Sequence, residues 1–342
     1  MGMGPELGMW RFGGLGIDLG TANTVVCHPI RGIVLDEPSV MAMRSNGHID
    51  PRPLAVGREA KELVGRTPAG VITVRPLSDG VVTDLDTARA FIVGMLRRVK
   101  LMPWERIRSH AVIGVPAGAS ALERRALIEA AVEAGIGRVT LLPEPVAGAI
   151  GSGLDPLARK AQMVVDVGGG TAEVTAFCFG GILSSSSCRV AGDEMTTALY
   201  QYLRQQHAIV VGELTAEDVK VRLAASGKQS ITVEGRDGAT GRPKTVRVTP
   251  EEVAEAIRPI TEMIVRALVA SLEELPPQAV GDIMHDGILA FGGGSLATGF
   301  TGMIEEAFGI PVRVAERPLT CVAEGAAKAL RSRALLSAYS LS

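Results

Sequence analysis

Two glycine-rich segments, each at the end of an apolar run, constrain the fold of this chain more than any other feature. They read GIDLGT at 16–21 and VVDVGGGT at 164–171. An apolar run without polar alternation is typical of a strand buried on both faces. Glycine after such a strand lets the backbone turn tightly and approach a ligand closely. The repeated pattern therefore predicts two related halves, each with a strand that ends in a tight turn.

The residue types in these turns indicate phosphate and metal chemistry. Exposed backbone N–H groups and a threonine hydroxyl form a concave site that suits an anion such as phosphate. Asp18 and Asp166 stand near the strand ends and offer the hard oxygen that Mg²⁺ prefers, usually through water. One such turn would be weak evidence. Two of them indicate that the halves bind one nucleotide between them.

Length and composition limit the alternatives. The chain has 342 residues, enough for two domains that each bury a core. Its net charge of −2 argues against nucleic acid as the main partner. The four cysteines lack the spacing of a metal site or disulfide framework, so a reducing cytoplasm is expected. No apolar stretch approaches the length needed to span a bilayer.

Strands and helices alternate along both halves, which predicts an α/β fold with central sheets covered on both sides. Predicted strands span 15–19, 24–28, 32–35, 111–115, 139–142, 163–167, 173–177, 181–184, 287–291 and 312–315. A predicted hairpin pairs 231–234 with 245–249. Predicted helices span 87–99, 120–134, 193–206, 215–225, 250–274 and 320–331. Ser120 and Glu123 have the spacing of a capping box.

The expected domain organisation follows from this repeat. It comprises an N-terminal segment 1–14, a first domain 15–150, a second domain 151–332 and a tail 333–342. Each domain carries a small inserted subdomain, at about 37–84 and 208–250. A repeat of this length fits gene duplication better than a solenoid, whose periods are much shorter.

Two further segments carry chemistry. Glu144 stands where a strand gives way to a helix of small residues. It either stabilises the start of that helix, where acids are favourable, or faces the nucleotide and orients an attacking water. The segment FGGGS at 291–295 also follows a strand, and its missing side chains would let an adenosine lie against the backbone.

Together these motifs resemble a known superfamily. The order DLGTANT at 18–24, EP at 144–145, DVGGGT at 166–171 and GGG at 292–294 is similar to the actin, sugar-kinase and heat-shock-chaperone ATPases. Within them the chain resembles the MreB family of bacterial actin homologues from about Leu15 to Leu330, with EPSV at 37–40, GRTP at 65–68, VAGDEM at 190–195 and PLTCVA at 318–323. The resemblance implies an actin-like duplicated fold of two ribonuclease-H-like domains, with the nucleotide in the cleft between them.

The chain departs from the family pattern at two places. Pro143 stands where MreB proteins usually have a second acid before the Glu-Pro motif. Thr196 and Thr197 stand where the family commonly has Asp-Glu. A specialised paralogue, similar to the magnetosome filament protein MamK, is therefore an open alternative.

The resemblance also implies the roles of individual residues, with ATP and Mg²⁺ as cofactors. Asp18 and Asp166 hold Mg²⁺ through water, and Glu144 positions the lytic water. The residues implied to bind nucleotide are Gly20, Thr21, Ala22, Asn23, Gly168, Gly169, Gly170, Thr171, Gly192, Asp193, Glu217, Lys220, Gly292, Gly293, Gly294 and Ser295. For Glu217 and Lys220 an exposed i, i+3 ion pair is an equally good interpretation.

The implied function is an ATPase that polymerises into filaments, with paired protofilaments, and that organises cell-wall synthesis and rod shape. Its expected partners are further copies of itself, the inner face of the cytoplasmic membrane and membrane proteins of cell-wall synthesis. Organelle positioning by a MamK-like filament, a small-molecule kinase and a non-polymerising adaptor are the alternatives. A kinase would need a general base and a second-substrate pocket, and no carboxylate in the sequence clearly serves as that base.

Membrane contact is expected at two apolar segments flanked by basic residues. Their members are Met9, Trp10, Phe12, Leu101, Met102 and Trp104. Tryptophan beside cations suits a headgroup interface with anionic lipid. The alternative is that both indole rings fold back and cover the surface of their own domain.

Overall fold

The computed structural model describes residues 14–45, 52–78, 81–82, 84–100, 102, 105, 109–227 and 229–341. The chain divides into two units, each with its own five-stranded sheet. The first unit runs to Lys160 and also takes in Phe177–Ile182 and the chain from Leu319 onward. The second unit contains Ala161–Ala176 and Leu183–Pro318.

The first unit contains the helices and strands up to residue 151 and two C-terminal helices. In chain order they are β1 Gly14–Leu19, β2 Asn23–His28, β3 Gly32–Pro38, β4 Met41–Arg44, β5 Ala55–Val56, α1 Arg58–Lys61, β6 Val71–Val74, β7 Leu77–Ser78, β8 Val81–Val82, α2 Leu85–Arg98, β9 His110–Val115, α3 Ala121–Glu133, β10 Arg138–Pro143 and α4 Glu144–Gly151. The helices α10 Cys321–Ala329 and α11 Arg333–Tyr339 close the series.

The second unit follows the same alternation. Its elements are β11 Gln162–Val167, β12 Ala172–Cys178, β13 Gly181–Cys188, α5 Gly192–Gln206, β14 Ile209–Val210, α6 Glu213–Ser226, β15 Ile231–Asp237, β16 Pro243–Val248, α7 Pro250–Glu273, α8 Pro277–Asp286, β17 Ile288–Phe291, a 3₁₀ helix Gly293–Leu296, α9 Phe300–Phe308 and β18 Val312–Val314. The tip of the β12–β13 hairpin groups with the first unit.

The main sheet of the first unit has the strand order β10-β9-β1-β2-β3. Strand β1 is parallel to β9, which is parallel to β10, while β1 and β2 are antiparallel. Asp18 lies beside Gly114, and Pro143 lies beside Val115. The carboxyl ends of the three parallel strands therefore meet at one edge, where α/β sheets commonly bind ligands.

The core of the first unit lies between this sheet and its helices. Phe91 of α2, Ile113 of β9 and Leu141 of β10 have no accessible surface and belong to one apolar cluster. In the second unit the main sheet has the order β13-β12-β11-β17-β18, with β11, β17 and β18 parallel. The same rule places the ends of β11 and β17 at one edge.

Helix α10 packs unusually close to its neighbours in the first unit, and glycine permits this contact. A Cβ atom on Gly325 would lie 1.7 Å from the carbonyl oxygen of Ala147 in α4. A Cβ atom on Gly151 would lie 1.8 Å from the carbonyl oxygen of Cys321, and one on Gly16 would lie 2.1 Å from that of Ala323. The α10 backbone therefore touches the backbones of α4 and β1 directly.

The division differs from the expected domain ranges at both ends of the second domain. The chain leaves the first unit after Lys160, ten residues later than expected. The segment after α4 hydrogen-bonds back to that helix, since the N–H of Leu154 donates to the carbonyl of Ala149. The helix expected at 320–331 belongs to the first unit, where it packs on α4 and β1.

The expected tail 333–342 contains a docked helix. Ser332 caps α11, since its hydroxyl accepts from the N–H of Leu335. The buried hydroxyl of Tyr339 donates to the carbonyl of Pro156 at 2.9 Å. The N–H of Leu341 donates to the carbonyl of Leu141. The sequence interpretation also missed α8 and α9 and the short elements β4 to β8 and α1.

Candidate functional site

The first glycine turn, 20–23, is held in place by a serine that follows β3. The hydroxyl of Ser39 donates to the carbonyl of Gly20 at 2.6 Å, and its N–H donates to the carbonyl of Ala22 at 2.9 Å. The hydroxyls of Thr24 and Ser39 are 2.9 Å apart. A Cβ atom on Gly20 would lie 2.9 Å from the carbonyl oxygen of Asn23. The turn is thus tight and fixed before any ligand binds.

Asp18 stands at the end of β1, half-buried beside Gly114. Burial raises the pKa of its carboxyl to about 7, because removal from water disfavours the charged form. A cation beside it would favour the carboxylate, so the donor chemistry fits Mg²⁺. Among the described residues no three His, Cys, Asp or Glu side chains cluster as a metal site.

Glu144 is the first residue of α4 and follows β10 directly. Gly114 makes room for it, because a Cβ atom there would lie 3.2 Å from Cγ of Glu144 and 2.9 Å from Cγ1 of Val322. A cavity of about 30 Å³ adjoins Glu144 and is also lined by Leu19 and Arg124. That volume exceeds the minimum of about 10–15 Å³ that a water needs. The carboxylate therefore stands at a helix start and beside a space that fits water, so both earlier interpretations stand.

The second glycine turn packs on the start of α5. The N–H of Gly168 donates to the carbonyl of Thr171 at 2.9 Å and closes the turn. The carbonyl of Gly168 accepts from the N–H of Gly192 at 3.1 Å, and that of Gly169 accepts from the N–H of Asp193 at 2.7 Å. The turn, with the buried Asp166 before it, and the N-terminus of α5 therefore form one arrangement of backbone groups.

The third glycine segment lies against the same turn. Gly292 has a φ of +79°, and a Cβ atom there would lie 2.3 Å from the carbonyl oxygen of Val167 and 2.6 Å from Oδ1 of Asp166. A Cβ atom on Gly294 would lie 2.4 Å from Cγ1 of Val167. The buried hydroxyl of Ser295 donates to the carbonyl of Gly292 at 2.7 Å. Only glycine permits this contact with the end of β11.

Glu217 and Lys220 on α6 form the i, i+3 ion pair of the alternative interpretation, with Nζ 2.6 Å from Oε2 of Glu217. The lysine is not solvated, however, because only 8% of it is exposed and its Nζ also donates to the carbonyl of Gly192 at 2.7 Å. The pair therefore links α6 to the start of α5, beside the second glycine turn.

The structure brings the expected residues together within each unit. Asp18, the turn at 20–23 and Glu144 lie at one edge of the first sheet. Asp166, the turn at 168–171, Gly192, Lys220 and the segment 292–295 lie at one edge of the second. Gly114, Ser39 and Thr196 also belong to these sites. Ser39 lies in the family-like segment 37–40, but nothing in that segment indicated that it would hold the first glycine turn.

Most of the residues expected to contact the membrane lie outside the part of the chain that the structure describes. Met9, Trp10, Phe12, Leu101 and Trp104 lie outside the described residues. Met102 is described, and about half of it (51%) is exposed. Within the described ranges, no helix combines the length and apolar character that a bilayer span requires.

Comparison with known proteins gives a consistent result. The family model described as MreB/Mbl protein matches residues 13–338. The cell shape-determining protein MreB of Escherichia coli strain K12 is 40% identical over 321 residues, which cover 92% of each chain. The cell shape-determining protein Mbl of Bacillus subtilis strain 168 is 37% identical over 315 residues, 91% of this chain and 93% of that one.

Solved structures agree. The crystal structure of MreB5 of Spiroplasma citri bound to ADP has a TM-score of 0.86 at 31% identity and covers 94% of this chain and 98% of that chain. The structure of the same protein bound to AMPPNP has a TM-score of 0.84 and covers 92% of this chain and 94% of that chain. The MamK double helical filament is 24% identical and has a TM-score of 0.78, covering 94% of this chain and 99% of that chain. At this identity it supports the fold alone. The expected actin-like fold is confirmed.

Proposed function

Because the chain belongs to the MreB/Mbl family, we propose that it is a bacterial actin that binds and hydrolyses Mg-ATP and polymerises into filaments that determine cell shape. The observation that carries the proposal is the pair of fixed glycine turns, each beside an aspartate at the end of a central strand. The related MreB5 was crystallised with ADP and with AMPPNP, which supports nucleotide as the ligand.

In the proposed mechanism each turn offers its backbone N–H groups and a threonine hydroxyl, of Thr21 or of Thr171, to nucleotide phosphate. The carboxylates of Asp18 and Asp166 would hold Mg²⁺ through water, and the metal would supply positive charge against the phosphates. Glu144 orients the attacking water beside its small cavity. Such positioning is the protein's main contribution to phosphoryl transfer, together with electrostatic stabilisation.

Filament formation follows from head-to-tail contacts that do not close a ring. Nucleotide state and subunit addition then bias each other by reciprocal coupling. The similarity to a cell-shape protein, 40% identity, exceeds that to MamK, 24%, so we favour a cell-shape role over organelle positioning. Paired protofilaments and membrane proteins of cell-wall synthesis as partners belong to the same proposal.

The catalytic part is tested with Glu144→Ala. We expect phosphate release to fall by about a hundredfold or more, because a positioned group is lost, while ATP still binds and filaments live longer. Glu129→Ala is the matched control, since Glu129 is exposed on α3 and pairs only with Arg125 among the described residues. Unchanged phosphate release in Glu144→Ala would reject the assignment, and failure to pellet with ATP would reject polymerisation.

We also propose that the filaments bind the inner face of the cytoplasmic membrane through Trp10 and Trp104. A single short segment binds weakly, so polymerisation would add many weak anchors. The measurement is co-sedimentation with anionic liposomes, which should require ATP and fall with salt. A double Trp10→Ala, Trp104→Ala variant that still polymerises should lose most of this binding. Retained binding in that variant would contradict the proposal.

A further inference from the structure

A buried hydroxyl on α5 stands at the centre of the contacts that join α5 to α6. Thr196 is 3% exposed, and its Oγ1 lies 3.0 Å from the carbonyl oxygen of Gly192. The Nζ of Lys220 donates to the same Oγ1 at 2.8 Å. Oε2 of Glu217 also accepts from this hydroxyl. Thr196 therefore contacts both charged residues of the pair that the resemblance assigns to the nucleotide.

Lys220 has no donor left for a ligand. An ammonium group carries three N–H donors. Those of Lys220 point to the carbonyl of Gly192 at 2.7 Å, to Thr196 at 2.8 Å and to Glu217 at 2.6 Å. Loss of Glu217 would leave the buried cation without its charge partner, and loss of either neutral acceptor would leave an N–H donor unsatisfied. Lys220 is therefore satisfied within the protein.

Glu217 is in the opposite situation. Its side chain is 38% exposed, and its Oε2 takes both the Thr196 and the Lys220 contacts. No described residue hydrogen-bonds to its Oε1. An ionised carboxylate accepts hydrogen bonds and donates none. The contacts at Oε2 thus fix the carboxylate in one orientation and leave Oε1 for a hydroxyl donor.

We propose that Thr196 is a positioning residue for the nucleotide: with Lys220 it holds Glu217 so that Oε1 accepts a hydrogen bond from a ribose hydroxyl. Lys220 acts through Glu217, since its three N–H donors are already taken by protein acceptors. This inference rests on the proposed function, because it assumes that the site beside the second glycine turn binds a nucleotide.

The threonine is suited to this task where the family commonly has aspartate. A hydroxyl accepts from the ammonium of Lys220 and donates to the carboxylate of Glu217. An aspartate at 196 would instead place a second carboxylate beside Glu217 and compete with it for Lys220. The departure at Thr196 therefore leaves the cation to a single carboxylate.

The test measures the affinities of the full chain for Mg-ATP and for Mg-2′,3′-dideoxy-ATP, which lacks both ribose hydroxyls. We expect the wild type to prefer ATP by about tenfold or more, as a hydrogen bond to a charged group provides. Thr196→Val keeps the shape and removes the hydroxyl, so the preference should fall to about one- to threefold. Thr196→Ser should restore it, and Thr197→Val, at the exposed neighbouring position, should leave it unchanged.

The outcomes separate this inference from its premise. If the wild type binds neither nucleotide, the proposed function fails. If it binds both equally, only the role of Glu217 and Thr196 is overturned. A purely structural threonine would lower the affinity for ATP and dideoxy-ATP by the same factor in Thr196→Val, which would also overturn the inference. If Thr196→Val does not fold, Thr196→Ala also removes the hydroxyl and gives the same test, and an unchanged preference there refutes the inference.

Discussion

Substitution of Gly325 by alanine is the sharpest test of the packing around α10. Gly325 lies inside this helix, and the added Cβ atom would lie 1.7 Å from the carbonyl oxygen of Ala147 and 2.6 Å from the N atom of Gly151. Both are backbone atoms of α4 and cannot rotate away as a side chain can. The two helices must therefore move apart or bend.

The magnitude follows from this distance. A carbon and a carbonyl oxygen normally stay about 3.3 Å apart, so α4 and α10 must separate by roughly 1.5 Å. Overpacking of a well-packed core costs about 1–3 kcal/mol, and more where the backbone is the obstacle. Alanine regains about 1 kcal/mol through its better helix propensity. Because backbone atoms are the obstacle, we take the upper end of the overpacking cost, about 3 kcal/mol or more. We therefore expect a net loss of at least about 2 kcal/mol, or roughly 4–8 °C in the unfolding temperature.

Thermal unfolding followed by circular dichroism, without nucleotide, provides the measurement. Gly302→Ala is the control, because Gly302 lies inside α9 and a Cβ atom there meets nothing within 4 Å. This variant should be more stable by about 0.5–1 kcal/mol. The same chemical change thus has opposite expected signs at the two sites. A Gly325→Ala protein that unfolds within about 2 °C of the wild type would refute the close packing.

Two further predictions concern the metal and the pH. Asp166→Ala should weaken Mg-ATP binding by about tenfold or more, because a carboxylate that would hold the metal is lost. The free energy of unfolding without nucleotide should change much less. If calorimetry shows that binding and unfolding lose the same free energy, Asp166 is structural. Burial, and secondly the positive charge of Arg138, hold the pKa of His110 below its ordinary value of 6.5. The folded state therefore favours the neutral imidazole. This contribution to stability is complete above pH 6.5 and is lost as the pH falls towards the folded pKa. In urea unfolding, the free energy of unfolding should therefore fall less steeply between pH 7 and 5 for His110→Asn than for the wild type. Identical pH slopes in the two proteins would contradict this.

Local patterns predicted the elements whose signals lie within a few residues. The Ser120 capping box is confirmed, with the N–H of Ser120 donating to Oε2 of Glu123 at 2.7 Å. The predicted hairpin is also confirmed, and Ile231 pairs with Val248. Helix α8 was missed although its signals were present, since Pro277 starts it and Gly287, with a φ of +81°, follows its end. The apolar segment between them was too short to stand out.

Contacts between distant segments could not be predicted from spacing. The spacing of Glu217 and Lys220 fitted an exposed ion pair as well as a nucleotide contact, but burial of Lys220 against Gly192 depends on how α5 and α6 pack. The placement of α10 in the first unit likewise depends on Gly16, Gly151 and Gly325, which are far apart in the chain. The motifs predict which residue types carry the chemistry, while tertiary packing decides which of their atoms remain available.

The return of α10 to the first unit has a consequence for protein synthesis. The groove formed by Gly16 and Gly151 is complete only when α10 has left the ribosome, after the whole second unit has been made. At about 5–20 residues per second, the nascent first unit waits on the order of ten seconds with the backbones of β1 and α4 uncovered. The apolar side chains of Val25 and Cys27, which pack against Ala323 and Ala327 of α10, stay uncovered for the same time.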